Sequence, residues 1–100
     1  MIAFSTTEGP HDLATVAPEM KGYYYRCADG VVTVPVVSAP REGRGDCGRF
    51  LDALPTGQRI EFRCVISAKL AGMLARRGFV RTPIYNDEMG EWDTDAWVRE

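Results

Sequence analysis

The feature that most constrains the fold is the segment from Gly22 to Ser38, "GYYYRCADGVVTVPVVS", which has the composition of a β-hairpin. Tyrosine and valine favour extended backbone, and "ADG" between them is a turn sequence in which Asp29 and Gly30 supply positive φ angles. Pro35 lies inside the second predicted strand and has no N–H to donate to a neighbour. We therefore predict a hairpin whose second strand is either at a sheet edge or bulged near Pro35.

The residues after the hairpin alternate between helical and strand patterns. "GRFLDALP" predicts a short helix ended by Pro55, and "RIEFRCVIS" alternates like a strand, with Cys64 on its more apolar and buried face. "SAKLAGMLARRGF" predicts a second helix with Ser67 as its N-cap and Gly78 beyond its end. "FVRTPIYNDEMGEWDTDAWVRE" predicts two strands joined near "NDEMG". This order indicates an α/β (α+β) fold, in which helices pack on a mixed, mostly antiparallel sheet.

The chain has 100 residues with 45% hydrophobic content, which suffices for a single core and excludes a second catalytic domain. We predict one domain, 1–100. Glycine and proline breakers flank "HDLATVA", so residues 1–21 are predicted to form a loosely structured N-terminal arm, or to pack on an edge, before a core of residues 22–100. His11 is the only histidine and is expected to be solvated, which removes mechanisms that need a histidine beside a nucleophile.

Net charge is −2 and the isoelectric point is near 5.4, which argues against a nucleic-acid partner, so any anion site must be local. No apolar run approaches the roughly 20 residues that span a bilayer, and "MIAFSTTEGP" does not resemble a secretion signal. We expect a soluble, cytoplasmic protein without membrane contact. The three cysteines, Cys27, Cys47 and Cys64, fit neither a disulfide framework nor a zinc site, and no metal is predicted.

The segment "PREGRGDCGRF", Pro40 to Phe50, places closely spaced glycines immediately before a predicted helix. It is either a surface turn or a loop that binds an anion, because glycines let successive N–H groups approach a phosphate near the positive end of a helix. Asp46 at the helix start is expected to act as a cap and also to repel a phosphate. The tripeptide "RGD" is treated as a chance match.

In this order, "VVSAP", "REGRG", "FLDAL" and "LARRGF" resemble the core of the GNAT-type N-acetyltransferases. The resemblance covers Gly22 to Glu100 and lacks the family's N-terminal strand and pair of helices, which indicates a truncated, minimal, divergent member. It implies that the strand with Pro35 is bulged and splays from the next strand, with acetyl-CoA in the gap. The cofactor-binding residues that it implies are Val36, Val37, Gly43, Arg44, Gly45, Asp46, Cys47 and Gly48.

The resemblance implies a small N-acetyltransferase that moves the acetyl group of acetyl-CoA to an amine of a small molecule or protein. Whether the chain is an enzyme stays open, because Leu74 occupies the position where many members carry a proton-donating tyrosine, and no catalytic residue is assigned. The alternative is a catalytically degenerate GNAT-like protein-binding module, for example a phage or mobile-element inhibitor or assembly protein. The sequence also leaves open whether the protein forms a homodimer. A further alternative is a small α/β domain unrelated to this family, in which the glycine-containing segment is only a turn.

Several further side chains have both a structural and a functional interpretation. Alternation places Tyr24 on the opposite sheet face from Tyr23 and Tyr25, and the three tyrosines either pack on the sheet or line an acceptor pocket. Glu61 is a solvated strand residue or a general base. The acidic segment "NDEMGEWDTD" is a solvated hairpin or, at the mouth of a cleft, a feature that favours a cationic acceptor. Trp92 and Trp97 pack in the fold or, if exposed, contact a partner.

Overall fold

The computed structural model describes all 100 residues, Met1 to Glu100. The elements in chain order are β1 (Gly9–Asp12), a 3-10 helix (Leu13–Thr15), β2 (Lys21–Arg26), β3 (Val32–Ser38), α1 (Asp46–Asp52), β4 (Ile60–Phe62), α2 (Ala68–Ala75), β5 (Val80–Arg81), β6 (Ile84–Asn86), β7 (Glu91–Asp93) and β8 (Trp97–Arg99). Six strands form the main sheet in the order β1-β2-β3-β4-β8-β5, and β6 and β7 form a separate two-stranded hairpin. Only the pair β3–β4 is parallel. The predicted α+β fold with a mixed, mostly antiparallel sheet is confirmed.

The predicted hairpin is present as β2 and β3. Its turn is closed by the amide of Gly30, which donates to the carbonyl of Cys27 at 2.9 Å. Gly30 has a φ of 87°, whereas Asp29 has no positive φ, contrary to expectation. Asp29 instead contributes its side chain, whose Oδ1 accepts from the amide of Val31 at 3.0 Å. A single left-handed glycine therefore suffices for this turn.

The predicted bulge lies at Pro35. Tyr23 pairs with Val36 and Tyr25 pairs with Thr33, so that Tyr24 on β2 faces two residues on β3. β3 is an interior strand, so the bulge rather than an edge position accommodates the proline. The alternation along β2 is also as predicted, because Tyr24 is buried while Tyr23 and Tyr25 are exposed.

The N-terminal arm is not loosely structured, and the boundary predicted at residue 21 does not separate it from the core. β1 pairs with β2 along its whole length and forms the edge of the main sheet, so the arm packs on an edge, the second of the two arrangements predicted for it. Ile2, Phe4 and Leu13 are buried in the same hydrophobic cluster as the rest of the chain. His11, expected to be solvated, stacks on the ring of Tyr24 with 5.1 Å between centroids. Burial of these side chains fixes the arm, although no local signal in residues 1–21 predicts it.

The strand predicted from "RIEFRCVIS" is shorter in the structure than this alternating segment. β4 ends at Phe62, and Cys64 adopts a left-handed φ of 52°, which ends the regular alternation. As a result Val65 is buried, whereas Cys64 and Ile66 are exposed, the reverse of the prediction. The predicted helix α2 is confirmed, and the Oγ of its N-cap Ser67 accepts from the amide of Leu70 at 3.2 Å. No helix is both long and apolar enough to cross a membrane.

Candidate ligand-binding cleft

The two parallel strands β3 and β4 part after three paired residues. Their pairing runs from Val32 opposite Ile60 to Val34 opposite Phe62, and its last bond joins the amide of Arg63 to the carbonyl of Val34 at 3.1 Å. β3 continues to Ser38 while paired only with β2. In a continuing strand, the amide of Val65 would be the next to face β3. It donates instead to the backbone carbonyl of Asp95, at 2.9 Å. The side of β3 that faced β4 is therefore free beyond Val34.

A cleft opens where the strands part. It consists of a cavity of about 350 Å³ beside α2 and the glycine loop, residues Gly43 to Gly48, and a smaller one of about 230 Å³ between the separated strands. Both cavities are lined by Val37, Ser67 and Leu70, so they lie side by side, and together they are called the groove. A groove of this size can hold a small-molecule ligand with several polar groups.

The structure brings most of the expected site residues to this groove. Those at the larger cavity are Val37, Gly43, Gly45, Asp46, Cys47 and Gly48. Val36 lines the smaller cavity, and Arg44 lines neither. Arg44 instead contributes its carbonyl, which accepts a hydrogen bond from Arg49 Nη1 at 2.9 Å. Sequence reasoning missed several other lining residues. Lys69 and Met73 lie on α2 and reach the cavity only because that helix packs beside the loop, whereas Arg41 directly precedes the loop in sequence.

The glycine loop presents unpaired backbone amides. Gly43 and Gly45 both have a φ of 74°, which is accessible to glycine without a Cβ penalty. No backbone N–H from Gly43 to Gly48 donates a hydrogen bond to another group of the chain. Lys69, which also lines the larger cavity, is exposed and forms no ion pair. The loop side of the cleft thus offers N–H donors and a free ammonium group.

Asp46 does not act as the expected cap, because Gly45 is the N-cap of α1 and no side chain caps it. The Asp46 carboxylate is fully buried and accepts from Arg41 Nε and Nη2, both at 3.2 Å, and from Arg49 Nη2. One negative and two positive charges leave this group with a net charge of +1. The expected repulsion of a phosphate by Asp46 is therefore offset by two guanidinium groups, both of which remain largely exposed.

The two cysteines at the groove are weakly acidic thiols. Burial raises the pKa of Cys47, and the nearby charges of Arg77 and Lys69 only partly oppose it. Partial burial of its sulfur and the negative charge of Asp93 raise the pKa of Cys64. Thiols are nucleophilic as thiolates, so neither is activated for attack at neutral pH. Leu74 is fully buried in the core and offers no proton to the groove.

Three other candidate side chains for a catalytic or acceptor role lie outside the groove. Tyr23 and Tyr25 line neither cavity, and their rings pack edge to face with 5.8 Å between centroids. Glu61, expected to be solvated or a general base, has a side chain only 12% exposed and accepts from Arg59 Nε at 2.8 Å. The structure brings none of these three side chains to the groove.

The acidic segment near the C-terminal end forms the β6–β7 hairpin and the turn after it. Asp93 and Asp95 are ion-paired with Arg63 and Arg81, respectively. The other carboxylates, Asp87, Glu88 and Glu91, are exposed without an ion pair. Three apolar side chains of this hairpin are also exposed, namely Tyr85, Met89 and Trp92, by 47%, 68% and 62%. Trp97 packs against the core, which is the structural one of its two interpretations.

No group of side chains is suited to hold a metal ion.

Comparison of the chain with protein-family models, with curated proteins and with solved structures found no match.

Proposed function

We propose that the protein is a GNAT-type N-acetyltransferase that binds acetyl-CoA in the groove between β3 and β4 and transfers the acetyl group to an amine. The observation that carries this proposal is the parting of the parallel strands after Val34 and Phe62. It leaves β3 from Val36 to Ser38 without a partner on the groove side. The pantetheine arm of acetyl-CoA contains two amides, so it can pair with this free backbone as an added strand would.

The glycine loop is suited to the pyrophosphate of the same molecule. Its amides from Gly43 to Gly48 are unpaired within the chain. Lys69 and Arg41 supply positive groups at the larger cavity, and the carboxylates of Asp46 and Glu42 in the same lining balance their charge. Phosphate oxygens are good acceptors for successive backbone N–H groups and for guanidinium groups. The two cavities adjoin at Val37, Ser67 and Leu70, an arrangement that suits a ligand with an extended arm and a charged end.

In the proposed reaction, the amine nitrogen attacks the thioester carbonyl carbon, the C–S bond breaks, and coenzyme A leaves as a thiolate. The amine loses one proton to solvent, and the departing coenzyme A thiolate takes up a proton from solvent, because buried Leu74 cannot act as the acid. The protein contributes alignment of the thioester with the amine and polarisation of the carbonyl by backbone N–H groups. Such positioning can supply a large part of a rate enhancement.

Calorimetric titration with acetyl-CoA tests the proposal directly, and two glycine variants provide a matched pair. Gly45 and Gly57 have φ angles of 74° and 75°, and both are exposed, but only Gly45 lines the groove. Gly45→Glu is expected to abolish binding, because a carboxylate then faces the phosphates. Gly57→Glu carries the same backbone strain and charge and should bind as the wild type does, although only a Cβ at Gly45 would also approach Arg49 Nη1, to 3.1 Å. The absence of heat at millimolar acetyl-CoA, from protein with an intact fold, would refute the proposal.

The second candidate is a GNAT-like module that has lost the chemistry and binds a protein partner. The observation that favours it is the exposed set Tyr85, Met89 and Trp92 on the β6–β7 hairpin, since exposed aromatic side chains are frequent centres of protein interfaces. This candidate predicts no binding of acetyl-CoA. It also predicts that Trp92→Ala, at a site outside the core, leaves thermal stability unchanged while it weakens partner binding.

A further inference from the structure

We infer that Asp93 is a positioning residue that holds β3 and β4 apart and thereby keeps the groove open. Asp93 lies at the end of β7, far from β4 in sequence, yet its Oδ2 accepts from Arg63 Nε at 2.9 Å and from the amide of Cys64 at 3.1 Å. Its Oδ1 accepts from the amide of Asp95 at 2.9 Å. The side chain is only 9% exposed, so the carboxylate holds a nearly buried junction between the hairpin and the end of β4.

The backbone of Cys64 is the second part of the argument. It is the only residue other than glycine with a positive φ, 52°, in the chain. This conformation is unfavourable for cysteine, so surrounding contacts must maintain it. The contact made by the Cys64 amide itself is the bond to Asp93. The carboxylate therefore stabilises a local conformation that the cysteine side chain disfavours.

The conformation of Cys64 decides where β4 stops. With Cys64 left-handed, the amide of Val65 turns away from β3 and donates to the carbonyl of Asp95 at 2.9 Å, and the Val65 side chain is buried. With Cys64 in the extended region, the "RIEFRCVIS" pattern continues as a strand and Val65 can pair with β3. Such pairing would fill the gap beside Val36 and Val37 with backbone. Asp93 thus acts at a distance on the part of β3 that lines the groove.

The test uses the full chain and amide hydrogen exchange resolved by NMR, and the readout therefore needs no ligand. In Asp93→Ala, the Cys64 amide loses its acceptor and should exchange at least about tenfold faster, while groove-side amides between Val36 and Ser38 should become protected. Cys64→Gly added to Asp93→Ala should restore the wild-type exchange of the amides between Val36 and Ser38, because glycine adopts a positive φ without support. The amide of residue 64 should still exchange fast in this double variant, because its acceptor remains absent. Asp95→Ala is the control, since it removes a neighbouring carboxylate whose partner, Arg81, is exposed.

A second pair of variants applies the same reasoning with Asp93 intact. Cys64→Val should change the exchange pattern in the direction of Asp93→Ala, because a β-branched side chain strongly disfavours positive φ. Cys64→Gly alone should leave the pattern as in the wild type. If Asp93→Ala does not fold, this pair decides the matter. The inference is overturned if Cys64→Val leaves β3 exchange unchanged, or if Cys64→Gly fails to rescue a folded Asp93→Ala.

The consequence for acetyl-CoA rests on the proposed function, and the two can fail separately. If the wild type binds acetyl-CoA, Asp93→Ala should weaken binding by about tenfold or more, and the added Cys64→Gly should recover most of it. A wild type that does not bind, with the expected exchange pattern, overturns the proposed function and supports the role of Asp93 in the strand separation. Binding that is unaffected while the exchange pattern changes overturns the link between Asp93 and the ligand.

Discussion

Replacement of Gly22 by alanine should destabilise the fold through one specific steric contact. Gly22 has a φ of 130°, and a Cβ at this position would lie 2.0 Å from the carbonyl oxygen of Val36 and 2.7 Å from its carbonyl carbon. These are backbone atoms of β3 and cannot rotate away as a flexible side chain can. β2 and β3 would have to separate locally, at the same residues that line the groove.

The expected loss follows from two contributions. A residue with a side chain at positive φ costs roughly 1–2 kcal/mol, and forcing an extra carbon into a packed site typically costs about 1–3 kcal/mol. Together they predict a decrease of about 2–5 kcal/mol in the free energy of unfolding, a large part of the 5–15 kcal/mol typical of a domain. For a domain of this size, each kcal/mol corresponds to roughly 4–8 °C in Tm.

Gly9→Ala is the matched control for this measurement. Gly9 also lies in a strand with a positive φ, 106°, but a Cβ there would meet nothing within 4 Å. Urea unfolding of both variants should show that Gly22→Ala loses about 1–3 kcal/mol more than Gly9→Ala, because only Gly22→Ala adds the steric contribution. Equal losses in the two variants would show that the close approach of β2 to Val36 is not what requires glycine.

Three further outcomes are expected. Asp46→Ala should lower the free energy of unfolding measured in urea by about 1–3 kcal/mol, because it removes charged hydrogen bonds from two arginines. Unchanged stability would contradict a structural role for this carboxylate. Cys64→Gly should stabilise the fold by roughly 1 kcal/mol in urea unfolding, through relief of the left-handed conformation; a loss of stability would argue against strain at Cys64. Partial burial acts to raise the pKa of Asp93, but hydrogen bonds from Arg63 and from the amides of Asp95 and Cys64 outweigh it, so the folded-state pKa lies below the usual value. Stability from this group is therefore present at neutral pH and lost as the pH falls below about 4, and the acid-induced loss should be smaller in Asp93→Asn; identical pH profiles would contradict this.

The parts of the fold that sequence predicts correctly depend on local chemistry. The β2–β3 hairpin follows from strand-forming residues around a turn, the bulge follows from the missing N–H of Pro35, and the start of α2 follows from the Ser67 hydroxyl. In each case the residue that causes the feature lies within it. The glycine loop is of the same kind, since Gly43 and Gly45 do adopt the positive φ angles that their spacing permits.

The parts that sequence reasoning misses depend on partners distant along the chain. Cys64 belongs to an alternating pattern, but Asp93, 29 residues later, accepts its amide hydrogen and ends the strand. Likewise, the sequence around Phe4 and Leu13 predicts a loose arm, because it does not show that both side chains are buried in the same cluster as Tyr24. Hydrophobic periodicity describes the two faces of one segment. It contains no information on a carboxylate from a distant part of the chain that binds to that segment.

The short parallel contact between β3 and β4 divides the sheet into two halves that are each continuous in sequence. β1, β2 and β3 come from the first 38 residues, and β4, β8 and β5 come from residue 60 onward. Each half can form its antiparallel hydrogen bonds locally, whereas the seam between them contains only three paired residues per strand. Cooperativity across the seam must therefore come mainly from side-chain packing. A molecule lying along the groove would add its own hydrogen bonds at this seam and join the halves, so that its binding would make the two unfold more nearly as one unit.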